Sequence, residues 1–81
     1  MKQILYFSSN SCAPCVVMTP IMNILQTEMS LTFINAASQP DTAKQWGVSS
    51  VPTVLLVKNG MEIGRLVGAR SKEEIRSLYN R

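Results

Sequence analysis

The chain contains no histidine and only two cysteines. Without an imidazole there is no histidine general base and no Cys–His catalytic pair. A zinc site built from one copy would have two thiolates where about four ligands are needed. Aromatic residues are scarce at 6%, and none is interleaved with a basic cluster as a base-stacking nucleic-acid surface requires. Long apolar runs are also missing. The opening "MKQILYFSSN" carries a run shorter than a secretory h-region, and no small-residue cleavage site follows. Nothing approaches the length of a membrane span. The expectation is a cytoplasmic protein with no membrane and no nucleic-acid partner, in a compartment that keeps thiols reduced.

What is present fits a single domain, residues 1–81, since a chain of this length supports one core and no more. No Gly/Ser-rich or Pro-rich linker, repeat or low-complexity tract divides it. Basic residues outnumber acidic ones by eight to five, for a net charge of +3. They are dispersed, as on a solvated surface, and favour acidic protein partners over nucleic acid.

Hydrophobic periodicity orders the chain. Residues 3–7, "QILYF", read as a buried strand ended by a Ser/Asn cluster. From Ala13 to Met29 the pattern is helical, with Val17, Ile21, Leu25 and Met29 as its apolar stripe and Ile24 widening it. Pro14 suits the first turn, whereas Pro20 lies in the interior and should kink the helix. "LTFIN" at 31–35 is a second strand, parallel to the first through a right-handed crossover. A short helix follows, with Asp41 as N-cap and Gly47 as its stop. "VPTVLLV" reads as a central strand, and Asn59-Gly60 turns it into an antiparallel partner, "MEIGRLV", in which Gly64 marks a bulge. Ser71 and Glu74 form a capping box for the last helix, which buries Ile75, Leu78 and Tyr79. The order is β-α-β-(short α)-β-β-α: an α/β fold with a four-stranded mixed sheet covered by helices.

The two cysteines stand three residues apart in "SSNSCAPCV". As a structural staple, so short a loop yields only about 2 kcal/mol in the chain-entropy model. As metal ligands, they need a second copy of the motif to complete a zinc site, or Cu(I), which two thiolates can hold. Redox chemistry suits them better. At a helix N-terminus Cys12 meets the positive end of the helix dipole, which favours its thiolate and makes it the attacking sulfur. Cys15, one turn further in, is more shielded and resolves the mixed disulfide. Pro14 restricts the loop and helps to hold the sulfurs within bridging distance.

On these residues the chain resembles the thioredoxin family. "CAPC" is similar to the family's Cys-Gly-Pro-Cys, with Ala13 in the place of glycine, and Pro20 falls where the family's kinking helix proline lies. "WGVSSVPTVLLVKNG" is similar to the stretch that carries the family's cis-proline, and "VGARSKEEI" resembles the segment entering the last helix. The resemblance runs from about residue 3 to 80, and the first strand and helix of a full thioredoxin have no counterpart. It implies a thioredoxin-like fold and a cis Val51–Pro52 bond facing the cysteines, leaving the Val51 backbone free to pair with an incoming peptide. A trans proline at a strand start is the plainer alternative. The resemblance also sets Trp46 and Gly68 beside the substrate groove, although Trp46 equally suits ordinary packing.

The chain departs from the family at three places. Ser11 replaces the aromatic residue before the first cysteine, Tyr6 replaces the buried acid, and Phe33 replaces the lysine near it. That acid assists proton transfer from the resolving thiol, so this route is absent. The resemblance therefore implies a thiol–disulfide oxidoreductase that reduces protein disulfides, with no metal and no cofactor beyond the Cys12–Cys15 disulfide. It further implies a monomer fed by a flavoprotein disulfide reductase. Two alternatives stand beside it: a glutaredoxin-like, glutathione-dependent reductant, and a redox-inert binding module of the same fold.

Overall fold

The computed structural model describes residues 1–81. Its elements are β1 (Lys2–Ser8), α1 (Ala13–Leu25), β2 (Leu31–Asn35), α2 (Pro40–Gln45), β3 (Thr53–Lys58), β4 (Met61–Val67) and α3 (Lys72–Tyr79). The strands form one sheet in the order β2-β1-β3-β4. β1 runs parallel to β2, which α1 makes possible by returning the chain to the starting edge. β3 runs antiparallel to β1, with Phe7 opposite Thr53. The end of β1 and the start of β3 therefore lie side by side, and that edge of the sheet carries the cysteine loop.

The central strands are apolar on both faces because both faces are covered. Ile4 and Tyr6 of β1 point into one core with Met18, Met22, Leu25, Val54, Leu56, Ile75 and Leu78. The alternate residues Leu5 and Phe7 point into a second core with Ile34, Ala43, Leu55 and Val57. This alternation follows from the two-residue period of a strand. Both longer helices, α1 and α3, contribute to the first core, so they share one face. The second face is covered by short α2 and the segment after it, through Ala43, Trp46, Val48 and Val51.

Two glycines have definite reasons. Asn59 and Gly60 both have positive φ, 53° and 83°, as a two-residue primed turn requires. At Gly64 an added Cβ would lie 2.6 Å from Leu78 Cδ1, so the missing side chain lets α3 approach β4. The register shifts there, since Leu56 pairs with Gly64 but Val57 pairs with Glu62. Ile63 is the extra residue of the bulge.

Two local expectations are corrected. α1 ends at Leu25 rather than Met29, and its buried residues are Cys15, Met18, Met22 and Leu25. Val17 and Ile24 are 68% and 52% exposed. A run repeating every fourth residue advances about 40° past a full turn at each step, so the stripe winds around the helix: Val17 is outside, Ile21 packs against the core, and Leu25 and Met29 are buried in it. Spacings that alternate between three and four stay on one face. Asp41 is not the N-cap of α2. Gln39 holds that position without a side-chain hydrogen bond, and Asp41 sits in the first turn behind Pro40, where a carboxylate favours the helix dipole. The capping box of α3 is present as expected, with the Ser71 and Glu74 side chains each accepting from the other's backbone N–H. α1 continues on both sides of Pro20.

The corrected helix face is directly testable. Met22→Ala, at a fully buried site, should cost about 2–5 kcal/mol in urea unfolding. Ile24→Ala should stay within about 0.5 kcal/mol of the parent chain.

Candidate active site

β1 carries the chain to Ser8, and the loop 9–11 then delivers Cys12 to the N-cap of α1. Cys12 has extended backbone, φ −103° and ψ 108°, the geometry of an N-cap residue. Its Sγ accepts a hydrogen bond from the Cys15 N–H at 3.2 Å. Its carbonyl accepts from the N–H groups of Cys15 and Val16, at 3.1 and 3.3 Å. The sulfur thus takes the place that a serine or aspartate oxygen usually fills at a helix start. No acidic residue lies in the first turn, so the positive end of the helix dipole acts on the sulfur without competition. Pro14 falls in that turn, where a missing N–H leaves no bond unmade.

Cys12 and Cys15 are joined by a disulfide with their Cα atoms 5.2 Å apart, within the usual span of a bridge. Cys12 is 7% exposed and Cys15 2%. The outer cysteine reaches solvent more readily, and the inner one backs onto a cavity of about 360 Å³ lined by Ser9, Asn10, Cys15, Val16, Thr19 and Pro20.

The antiparallel pairing of β1 with β3 brings the other sequence-selected residues to this edge. The Val51–Pro52 bond is cis, and Pro52 immediately precedes Thr53, the partner of Phe7. The Gly68 N–H donates to the Pro52 carbonyl at 2.8 Å, which ties the end of β4 to the same corner. Thr53 Oγ1 donates to the Ser50 carbonyl at 2.8 Å and pins the turn from below. Val51 is half-buried against the second core and lines a larger cleft of about 570 Å³, shared with Ser9, Ala36, Ala37 and Lys44. Trp46 is placed differently. It packs half-buried against the second core and lines neither cavity.

Several contributors escaped the sequence reading. Asn35 at the end of β2 donates through Nδ2 to Asn10 Oδ1 at 3.3 Å and tethers the cysteine loop. Arg65 of β4 donates to the carbonyls of Trp46 and Gly47, at 2.7 and 3.1 Å. It thereby caps α2 and fixes the segment that leads to Val51. Glu62 in turn holds the guanidinium by two bonds of 2.8 Å. No local signal marks Arg65, which lies on β4, 18 and 19 residues beyond the carbonyls it bonds, so the contact depends on tertiary structure.

The position of the family's buried acid is occupied by Tyr6, fully buried on β1. Its ring meets Phe33 edge-on, with centroids 5.7 Å apart and an interplanar angle of 83°. Its hydroxyl lies 3.0 Å from Thr19 Oγ1. Burial pushes the phenol pKa up, and the Thr19 hydrogen bond opposes that only in part. The Tyr6–Phe33 pair is an aromatic contact where an acid and a lysine would make an electrostatic one.

A cysteine pair bridged at a helix N-terminus, on the edge of a mixed sheet beside a proline turn, defines a thiol–disulfide oxidoreductase. The family model described as Thioredoxin matches residues 1–81, and the chain belongs to the thioredoxin family. It is 39% identical over 77 residues to a thioredoxin of Chlamydia caviae, covering 91% of this chain and 76% of that protein. It is 36% identical over 78 residues to one of Chlamydia pneumoniae, with 93% and 76% covered. Among solved structures, the thioredoxin of Nicotiana alata superposes with a TM-score of 0.86 at 33% identity, covering 94% of this chain and 68% of that one. A thioredoxin variant of Halobacterium salinarum gives 0.89 at 25% identity, with 98% and 72% covered. No helix is long and apolar enough to cross a membrane.

The Arg65 clamp predicts an acid-sensitive contribution to stability. Hydrogen bonding from Arg65 holds the Glu62 carboxyl below its ordinary range, against a smaller opposing effect of burial. The folded-state pKa is depressed, so the contribution is present above the unfolded value and lost as pH falls through the folded one. Glu62→Gln should lower the urea midpoint near neutral pH, and the difference from the parent chain should shrink as the pH falls through the acid range and Glu62 is protonated.

Proposed function

We propose that the chain reduces disulfide bonds in other proteins, with Cys12 attacking and Cys15 resolving. The observation that carries this reading is the placement of the Cys12 sulfur as the N-cap of α1, with the Cys15 N–H bonded to it. Once the bridge is reduced, the same N–H and the helix dipole favour negative charge on Cys12, so that sulfur is the available nucleophile. Its thiolate attacks one sulfur of the substrate disulfide. A Cys12–substrate bond forms, the substrate S–S bond breaks, and the released substrate thiolate takes a proton from water. Cys15, deprotonated in turn, attacks Cys12. The intramolecular disulfide re-forms, and the second substrate sulfur leaves as a thiolate. Two electrons pass from the dithiol to the substrate.

The surroundings support a protein rather than a small-molecule substrate. Val51 borders an open cleft at the cysteine edge, where its backbone is suited to pairing with an extended peptide. Pro52 and Gly68 form the adjoining corner. Trp46 serves by packing against the same core as Val51 rather than by lining the cleft. Ala13 and Pro14 are exposed between the two cysteines, so small side chains leave the sulfur approachable. The oxidised protein would be returned to the dithiol by a flavoprotein disulfide reductase. A monomer working in the cytoplasm is the setting that suits these roles.

Two outcomes test the assignment. With a disulfide-bonded protein substrate, Cys15→Ser should accumulate a mixed disulfide on Cys12, whereas Cys12→Ser should accumulate none. Gel mobility without reductant and intact mass read both. Equal trapping by either variant would refute the assigned order. A redox titration of the native pair in dithiol buffers should give a midpoint near the thioredoxin value of about −270 mV. A value at or above about −200 mV would instead assign glutaredoxin-like work with glutathione.

A further inference from the structure

The family's route for the resolving proton is missing, yet the structure places a pair of hydroxyls where that route would run. Tyr6 Oη and Thr19 Oγ1 are 3.0 Å apart, and the phenol makes no other hydrogen bond. Tyr6 is fully buried among Met18, Met22, Val54, Leu56, Ile75 and Leu78, none of which offers a side-chain acceptor. A buried O–H left without an acceptor is costly, so Tyr6 donates and Thr19 accepts. Burial keeps the phenol protonated, and hence a donor, well above neutral pH.

This fixes what Thr19 does next. A hydroxyl has one proton to give, and Thr19 does not give it to Tyr6. Nor does it return to the carbonyl one turn back in α1, the usual choice of a helical threonine; its one side-chain hydrogen bond is to Tyr6. Thr19 is one turn from Cys15 on the same helix face, and both line the 360 Å³ cavity. The geometry points to Thr19, oriented by Tyr6, as a positioning residue for Cys15: with its lone pair held by the phenol, its O–H is free to turn to the resolving sulfur once the bridge opens and to stabilise that sulfur as a thiolate.

The inference rests on the reaction proposed above and supplies the step that reaction leaves open. The Cys15 proton passes to water in the cavity. Pro20 has no N–H to give to the Val16 carbonyl, so that carbonyl is free to accept from solvent, and both residues line the wall. The Cys15 thiolate then attacks Cys12, the Cys12–Cys15 bond forms, and the Cys12–substrate bond breaks. No lining residue of the cavity carries a formal charge, and the residues packed around Tyr6 from α1, β3 and α3 are apolar. The titratable group facing Cys15 is therefore Cys12, with Tyr6 one contact behind Thr19, so a neutral donor has no nearby carboxylate or ammonium to compete with.

The test is the titration of Cys15 in the reduced full chain, read from the ¹³Cβ shift of labelled cysteine against pH. Thr19→Val should raise the Cys15 midpoint by about one pH unit, a tenfold loss of thiolate at a given pH. Thr19→Ser should restore it, and Tyr6→Phe should raise it by a smaller amount. An unchanged midpoint in Thr19→Val would overturn the inference. So would an equal rise in the valine and serine variants, which would assign the effect to packing. The readout needs no substrate, so it stands apart from the trapping experiment: mixed disulfides can fail to form while Cys15 still responds to Thr19.

Discussion

The hydrogen bond from the Cys15 N–H to the Cys12 sulfur depends on where α1 begins, and much of the structure serves to hold that point. A helix start leaves backbone N–H groups without intrahelical partners. Here the Cys15 N–H, shared with the Cys12 carbonyl, reaches a sulfur, and the proposed reactivity of Cys12 rests on that bond. If the helix began one residue later, Cys12 would lose that donor and Cys15 would no longer sit behind it. Pro14, with no N–H of its own, and the absence of an acid in the first turn keep this arrangement undisturbed.

The fold supports that starting point from three directions. β1, buried on both faces, fixes the strand that leads into the loop. Asn35 ties the loop to the end of β2. Met18, Met22 and Leu25 press α1 onto the sheet. On the opposite face a short helix does the covering, and Arg65 compensates for its length by bonding two carbonyls just beyond its end. Thr53, Gly68 and Arg65 all act on the segment between α2 and β3, which brings Val51 and Pro52 to the cysteine edge. The residues that flank the site are thus held by groups outside it.

Much of this was legible in the sequence because it rests on local chemistry. The Asn59-Gly60 turn, the Ser71/Glu74 capping box and the bulge at Gly64 each follow from what a few adjacent residues can adopt. The cysteine motif is of the same kind, since both sulfurs and the helix start lie within four residues. The stripe of α1 was misread at Val17 and Ile24 because a four-residue repeat resembles a helix period closely enough to mislead over about three turns. The Tyr6–Thr19 contact and the Arg65 clamp lie beyond local reading. Their partners are 13 and 19 residues apart in the chain, and they meet only once α1 and α2 have docked on opposite faces. The departures at Tyr6 and Phe33 were visible as substitutions, but their aromatic contact required the parallel register of β1 and β2.

The proposed function rests on the helix start making Cys12, and not Cys15, the reactive sulfur. Its most direct measurement is competitive alkylation of the reduced chain by limiting iodoacetamide near neutral pH, with the modified residue located by peptide mass. Cys12 should be labelled first and Cys15 should remain largely protected. Equal labelling, or modification of Cys15 ahead of Cys12, would contradict it.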